Sequence, residues 1–182
     1  DTGYAAFGVA GSNLVPNAGL LADSAGWTHW NQTAPIGQLI RETCPAGICL
    51  RYVAGGSPGL VSTPNFSVVK DQWYRMSVDL ATETDAQTVR IVLRRGGGGS
   101  NGYESLSDRE LSINAGRSWR RFSIVFQATA TVNARDPLTG DLGARIDVDG
   151  IAAGRSVSLA NLEVVAVTRD GVAGLTSTLV NV

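Results

Sequence analysis

Apolar and polar residues alternate in short runs along most of this chain. In "YRMSVDL", Tyr74, Met76, Val78 and Leu80 point one way and Arg75, Ser77 and Asp79 the other, because successive side chains of a strand face opposite sides of its sheet. "TVRIVLRR" repeats the pattern with Val89, Ile91 and Leu93 against Arg90, Val92 and Arg94. "RRFSIVFQ" sets Phe122, Ile124 and Phe126 against Arg121, Ser123, Val125 and Gln127, and "ARIDVDG" sets Ala144, Ile146 and Val148 against Arg145, Asp147 and Asp149. Further strands are predicted at "QLIRE", "CLRYVA", "NFSVV", "ELSINA" and the closing pair "SVSLANLEVVAV" and "STLVNV", about nine or ten in all. Breaks fall at "GGSPG" (55–59), "DPLTGD" (136–141) and "RDG" (169–171), and neither helical periodicity nor an internal repeat stands out. The pattern predicts an all-β protein, an antiparallel β-sandwich in which each dry face meets another.

Composition narrows the function. The 182 residues suit one domain, and 15 basic against 16 acidic residues leave a net charge of −1, so no bulk cationic field gathers nucleic acid or anionic membrane. No apolar run reaches the roughly 18 residues that span a bilayer. The opening "DTGYAAFGVAGSN" lacks the order of a signal peptide and reads as the cut edge of a mature or longer protein. Cys44 and Cys49, in "CPAGIC", have a spacing that a tight turn brings within disulfide reach, and a disulfide points to an oxidising, extracellular or cell-surface location. Zinc fits less well, since two thiolates and the single His29 do not make four ligands without carboxylates.

Residues 93–107, "LRRGGGGSNGYESLS", lie between two predicted strands, so a loop within one domain fits better than a linker. A phosphate-binding loop needs a following Lys and a helix start, and neither is present. What remains is a glycine-rich turn carrying Asn101, Tyr103 and Glu104, either a bare surface loop or one that brings backbone close to a ligand. In "GWTHWN", Trp27 and Trp30 have opposite parity, so burying one turns the other away from that core.

From Asn13 to Val167 the chain resembles the β-sandwich carbohydrate-binding modules of families four, nine and twenty-two, which share a galactose-binding-like jelly roll. The resemblance is carried by "NLVPNAGLLADSAGWTHWN", "CLRYV", "PNFSVVKDQWYRMSVDLAT", "SWRRFSIVFQAT" and "GARIDVDGIAAGRSVSLANLEVVAV", in that order. It implies a sandwich domain over 13–168, an N-terminal extension or linker edge over 1–12, and a last strand or the start of a linker over 169–182. It also implies a monomeric module, covalently linked to other domains of a secreted, polysaccharide-degrading protein and binding a polysaccharide or oligosaccharide without catalysis.

By the same resemblance Trp27 is core, Trp30 is a platform on which a sugar ring stacks, and Tyr103 flanks the cleft. If the polar-faced strands share the concave sheet, Arg90, Arg94, Gln127, Arg145 and Asp147 line the groove, where planar groups suit pairs of hydroxyls. A structural calcium ion is an open expectation: the family's Phe-Glu and its final Asp pair are replaced here by Leu20-Leu21 and "LANLEV", leaving Asp23, Asp147, Asp149, Asn161 and Glu163 as oxygen donors. No acidic pair has the spacing of a glycosidase, and no nucleophile elbow accompanies His29, so an enzyme is not expected. The alternative from another class is a structural or adhesion sandwich that binds no sugar.

Overall fold

The structure, a computed structural model, describes residues 7–9, 11–97, 103–135 and 142–169. Among them are no helices and eleven strands: β1 Phe7–Val9, β2 Thr28–Asn31, β3 Gln38–Cys44, β4 Gly47–Val53, β5 Gly59–Ser62, β6 Trp73–Thr82, β7 Gln87–Arg95, β8 Leu111–Ala115, β9 Arg120–Gln127, β10 Ala144–Ile151 and β11 Ser156–Arg169. They make two antiparallel sheets in a jelly-roll sandwich. One is ordered β3-β4-β11-β6-β9, with β1 added alongside β11, and the other β2-β5-β10-β7-β8.

The alternating runs bury the faces expected of them. Tyr74, Met76, Val78 and Leu80 of β6, Val89, Ile91 and Leu93 of β7, and Ala144, Ile146 and Val148 of β10 meet in one core. Each Val, Leu, Ile or Met among them contributes about 1.5–3 kcal/mol on burial, and a slip of one residue would turn a whole strand's set to water, so register is tightly specified. In edge strand β9, Phe126 is buried while Phe122 and Ile124 pack against the core only in part. Trp27 is core, its indole Nε1 donating to the Asn17 carbonyl at 3.2 Å.

Elsewhere the strand pattern differs from expectation. "NFSVV" forms no strand: Phe66 bridges to Ala144 and Val68 to Val132, so the segment changes neighbours within two residues and no ladder develops. "SVSLANLEVVAV" does form the one strand expected of it, β11, but with a bulge between Ala160 and Glu163 and Asn161 in the left-handed region at φ 51°. The four-residue β5 went unpredicted beside "GGSPG", and β1 builds part of the 1–12 segment into the sandwich through pairing with Val167–Arg169. "STLVNV", "DPLTGD" and residues 98–102 of the glycine loop lie outside the described residues, as does "RDG" beyond Arg169.

Candidate functional site: an aromatic and arginine groove on one sheet

The polar face that looks continuous in sequence divides between the two sheets. Arg75, Asp79 and Gln127 lie on the β6–β9 side. Arg90, Arg94, Arg145, Asp147 and Asp149 lie together on the outer face of β7 and β10. There the register sets Arg145 directly opposite Arg94 and Arg90 opposite Asp149. Two like charges facing each other across a ladder repel, so this face needs an anion between them.

Asp147 supplies it. Its carboxylate is fully buried, receives the Ser62 hydroxyl on Oδ1 at 2.7 Å, and accepts from Arg94 Nη1 at 3.2 Å and Arg145 Nη2 at 3.3 Å on Oδ2. Arg145 Nε lies 2.9 Å from Oδ1 but is misaligned for a hydrogen bond. Asp149 continues the network, its Oδ2 accepting from Arg90 Nη2 at 2.8 Å and Arg94 Nη2 at 2.9 Å, and its Oδ1 from the Gly150 amide at 2.7 Å. Burial alone would raise the Asp149 carboxyl, but the Arg90, Gly150 and Arg94 hydrogen bonds outweigh it and hold the group below its ordinary value.

Two exposed aromatic side chains border these arginines. Trp30, on edge strand β2, is 57% exposed, and Tyr103 is 61% exposed. Both line one open cavity of about 530 Å³ with Thr28, Leu60, Ser62, Arg94 and Arg145, and the β2 residue His29 also borders it. The Trp30 backbone is set by close approach of its neighbours. Tyr52 Oη donates to the Trp30 carbonyl at 3.3 Å, and a Cβ at Gly59 would collide with that hydroxyl and that carbonyl. Tyr103 stands at φ 67°, a left-handed conformation that costs a non-glycine residue about 1–2 kcal/mol. The following residues pin it: the Arg95 amide donates to the Glu104 carbonyl at 2.9 Å, Arg95 Nη2 lies 2.8 Å from Glu104 Oε1, and Arg94 bridges to Ser105. The Arg145 guanidinium sits 5.2 Å from the Tyr103 ring centroid, a cation–π contact.

Six of the seven residues expected to line a groove therefore share one face: Trp30, Tyr103, Arg90, Arg94, Arg145 and Asp147. Asp147 lies beneath the surface, with no area of its own to offer a ligand; it positions the arginines. Gln127 belongs elsewhere, because β9 pairs with β6 in the opposite sheet, where its Nε2 donates to the Asp71 carbonyl at 2.8 Å. Leu60 and Ser62 were missed because their strand has four residues, too few for alternation to register. His29, at the cavity's border, has its ring 5.4 Å from that of Tyr52.

The cysteines come together without a bond. Across the β3–β4 hairpin, Glu42 pairs with Cys49 and Cys44 with Gly47, which puts both thiols on one face as diagonal neighbours. Both are free thiols, so the pair expected from "CPAGIC" is present and the bridge is not. Burial, and next the Cys44 hydrogen bond, push the Cys49 thiol up to about 12.

The oxygen donors weighed for calcium do not assemble. Asp23 Oδ1 accepts from the Ala25 amide at 2.9 Å and Asn17 Nδ2 at 3.2 Å; Asp147 and Asp149 hold arginines; Glu163 holds Arg75 and Arg121. The Leu20 and Leu21 carbonyls accept Arg41 Nε and Nη2 at 2.6 and 2.7 Å. Among the described residues no three His, Cys, Asp or Glu side chains are grouped to hold a metal ion.

No family model and no curated protein matches the chain. Solved structures do. A CBM4 carbohydrate-binding module superposes with a TM-score of 0.60 at 18% identity, over 81% of this chain and 99% of that one. The N-terminal cellulose-binding domain of Cellulomonas fimi β-1,4-glucanase C superposes at 0.54 with 19% identity, over 80% and 89%. An arabinose-bound GH51 α-L-arabinofuranosidase matches at 0.61 with 16% identity, over 85% of this chain but 26% of the enzyme. The fold is thus the β-sandwich of those carbohydrate-binding domains, and part of a larger enzyme shares it.

Proposed function

We propose that this chain is a non-catalytic polysaccharide-binding domain that holds glycan in the groove on the β2-β5-β10-β7-β8 sheet. The observation that carries the reading is the pairing of two aromatic side chains, each more than half exposed, with the arginines Arg94 and Arg145 in one open cavity. A sugar ring offers an apolar C–H face to an aromatic ring and hydroxyl groups to the planar donors beside it. Both needs are met there. Among the described residues no carboxylate lines the cavity, whereas glycoside hydrolysis uses two, which supports binding without cleavage. The likeness in fold to a cellulose-binding domain and to part of an arabinofuranosidase supports the same reading, and with it a place in a larger extracellular polysaccharide-degrading protein. In an oxidising compartment Cys44 and Cys49 close the β3–β4 hairpin; a mass lower by two hydrogens without reductant tests this.

A few stacks and wet hydrogen bonds give dissociation constants of about micromolar to millimolar. Native affinity electrophoresis through gels of β-glucan, xylan, mannan, alginate or pectin tests the reading. Retardation of the wild type by one polymer, lost in Trp30→Ala, is the expected result. The absence of retardation in every gel refutes it and favours a structural or adhesion sandwich.

A further inference from the structure

The charges at the groove have an order in depth. Among the described residues the charged side chains that line the cavity are Arg94 and Arg145, with no acid beside them. The anions that balance them lie underneath or to one side: Asp147 is wholly buried, and the Asp149 side chain is 18% exposed. A molecule entering the groove meets guanidinium first and carboxylate only behind it.

The two arginines differ in what they have left to give. Arg94 uses Nη1 on Asp147 and Nη2 on Asp149. Arg145 directs Nη2 and Nε toward Asp147, and its Nη1 has no partner among the described residues. That nitrogen belongs to a guanidinium that stacks on Tyr103 and is 17% exposed as a side chain, held in place by the buried carboxylate below. A rigid cationic donor beside an aromatic ring is complementary to a sugar ring that stacks while presenting an anionic oxygen.

From this, and resting on the polysaccharide-binding reading above, we propose that the groove selects carboxylated glycans, with a uronate carboxylate accepting from Arg145 Nη1 while sugar rings lie against Tyr103 and Trp30. Charge-assisted hydrogen bonds are about twice as strong as neutral ones, so a uronate chain binds about tenfold more tightly than the same chain with its carboxylates esterified. The preference weakens as salt screens the pair, because the site is open to solvent.

The test compares polygalacturonate with its fully methyl-esterified form, alongside a neutral β-glucan and a sulfated galactan, by affinity electrophoresis and calorimetry at low and high salt. The wild type is expected to prefer the free uronate about tenfold, to lose most of that preference at high salt, to lose it in Arg145→Gln and to keep it in Arg145→Lys. Equal affinity for free and esterified chains overturns the proposal, as does an unchanged preference in Arg145→Gln. Equal binding of sulfated galactan overturns selection for carboxylate. Binding to neutral β-glucan alone overturns the acidic preference and leaves the polysaccharide-binding reading intact; binding to none of the four overturns both. Melting curves accompany each variant, and should Arg145→Gln fail to fold, the ester and salt comparisons on the wild type still decide.

Discussion

Replacing Asp147 by asparagine removes one negative charge and almost no volume, which isolates the electrostatic role of the groove's buried carboxylate. Arg94 and Arg145 stand opposite each other in the β7–β10 ladder, with side chains 19% and 17% exposed. Without Asp147, Asp149 remains within reach of Arg94 but not of Arg145 among the described contacts, so one mostly buried guanidinium loses its counter-ion while the two cations still face each other. Breaking a buried pair by removing one partner costs about 3–5 kcal/mol. For a domain of this size each kcal/mol corresponds to roughly 2–4 °C, so Asp147→Asn lowers the melting temperature by about 10 °C. Urea denaturation with an unchanged m-value measures the loss, and urea avoids the ionic screening that guanidinium chloride would add. Ser62→Ala, which removes the 2.7 Å hydroxyl bond but no charge, is the control and costs about 1 kcal/mol. If Asp147→Asn falls within about 1 kcal/mol of the wild type, the carboxylate is not what holds the two arginines together.

Arg41→Ala removes two short guanidinium bonds to the Leu20 and Leu21 carbonyls and is expected to cost about 1–3 kcal/mol in urea denaturation, whereas adding a calcium chelator to the wild type leaves the melting curve unchanged. In the reduced native protein Cys49, fully buried and with its thiol raised to about 12, resists iodoacetamide at pH 8 until the chain is unfolded; equal labelling before and after unfolding contradicts the packing of that hairpin face. The lowered Asp149 carboxyl is a stabilising contribution that is fully present above its ordinary value of 3.8 and is lost as pH falls below that through the lower folded value. Wild type and Asp149→Asn therefore differ in stability at pH 6 and converge below pH 3.8; a difference that persists unchanged into that range refutes the assignment.

Much of the architecture is local and so could be read from residue order. Alternation with period two tells which side of a strand is dry, and Tyr74 to Leu80, Val89 to Leu93 and Ala144 to Val148 all bury the side that pattern names. The opposite parity of Trp27 and Trp30 likewise holds, one buried and one exposed, because neighbouring Cβ atoms on extended backbone must diverge. Partner choice is another matter. Gln127 and Arg90 look alike in sequence, each on the polar side of an alternating strand, yet one sits on β9 and the other on β7, in different sheets. Sheet membership depends on pairings between distant parts of the chain, such as β2 with β5 and β5 with β10, whose backbone hydrogen bonds carry no residue code. The burial of Asp147 has the same origin, since Ser62, Arg94 and Arg145 reach it from three strands that meet only after folding. Alternation could name the faces of these strands; the order of strands within each sheet, which assembles the groove, emerged only when the whole sandwich closed on its core.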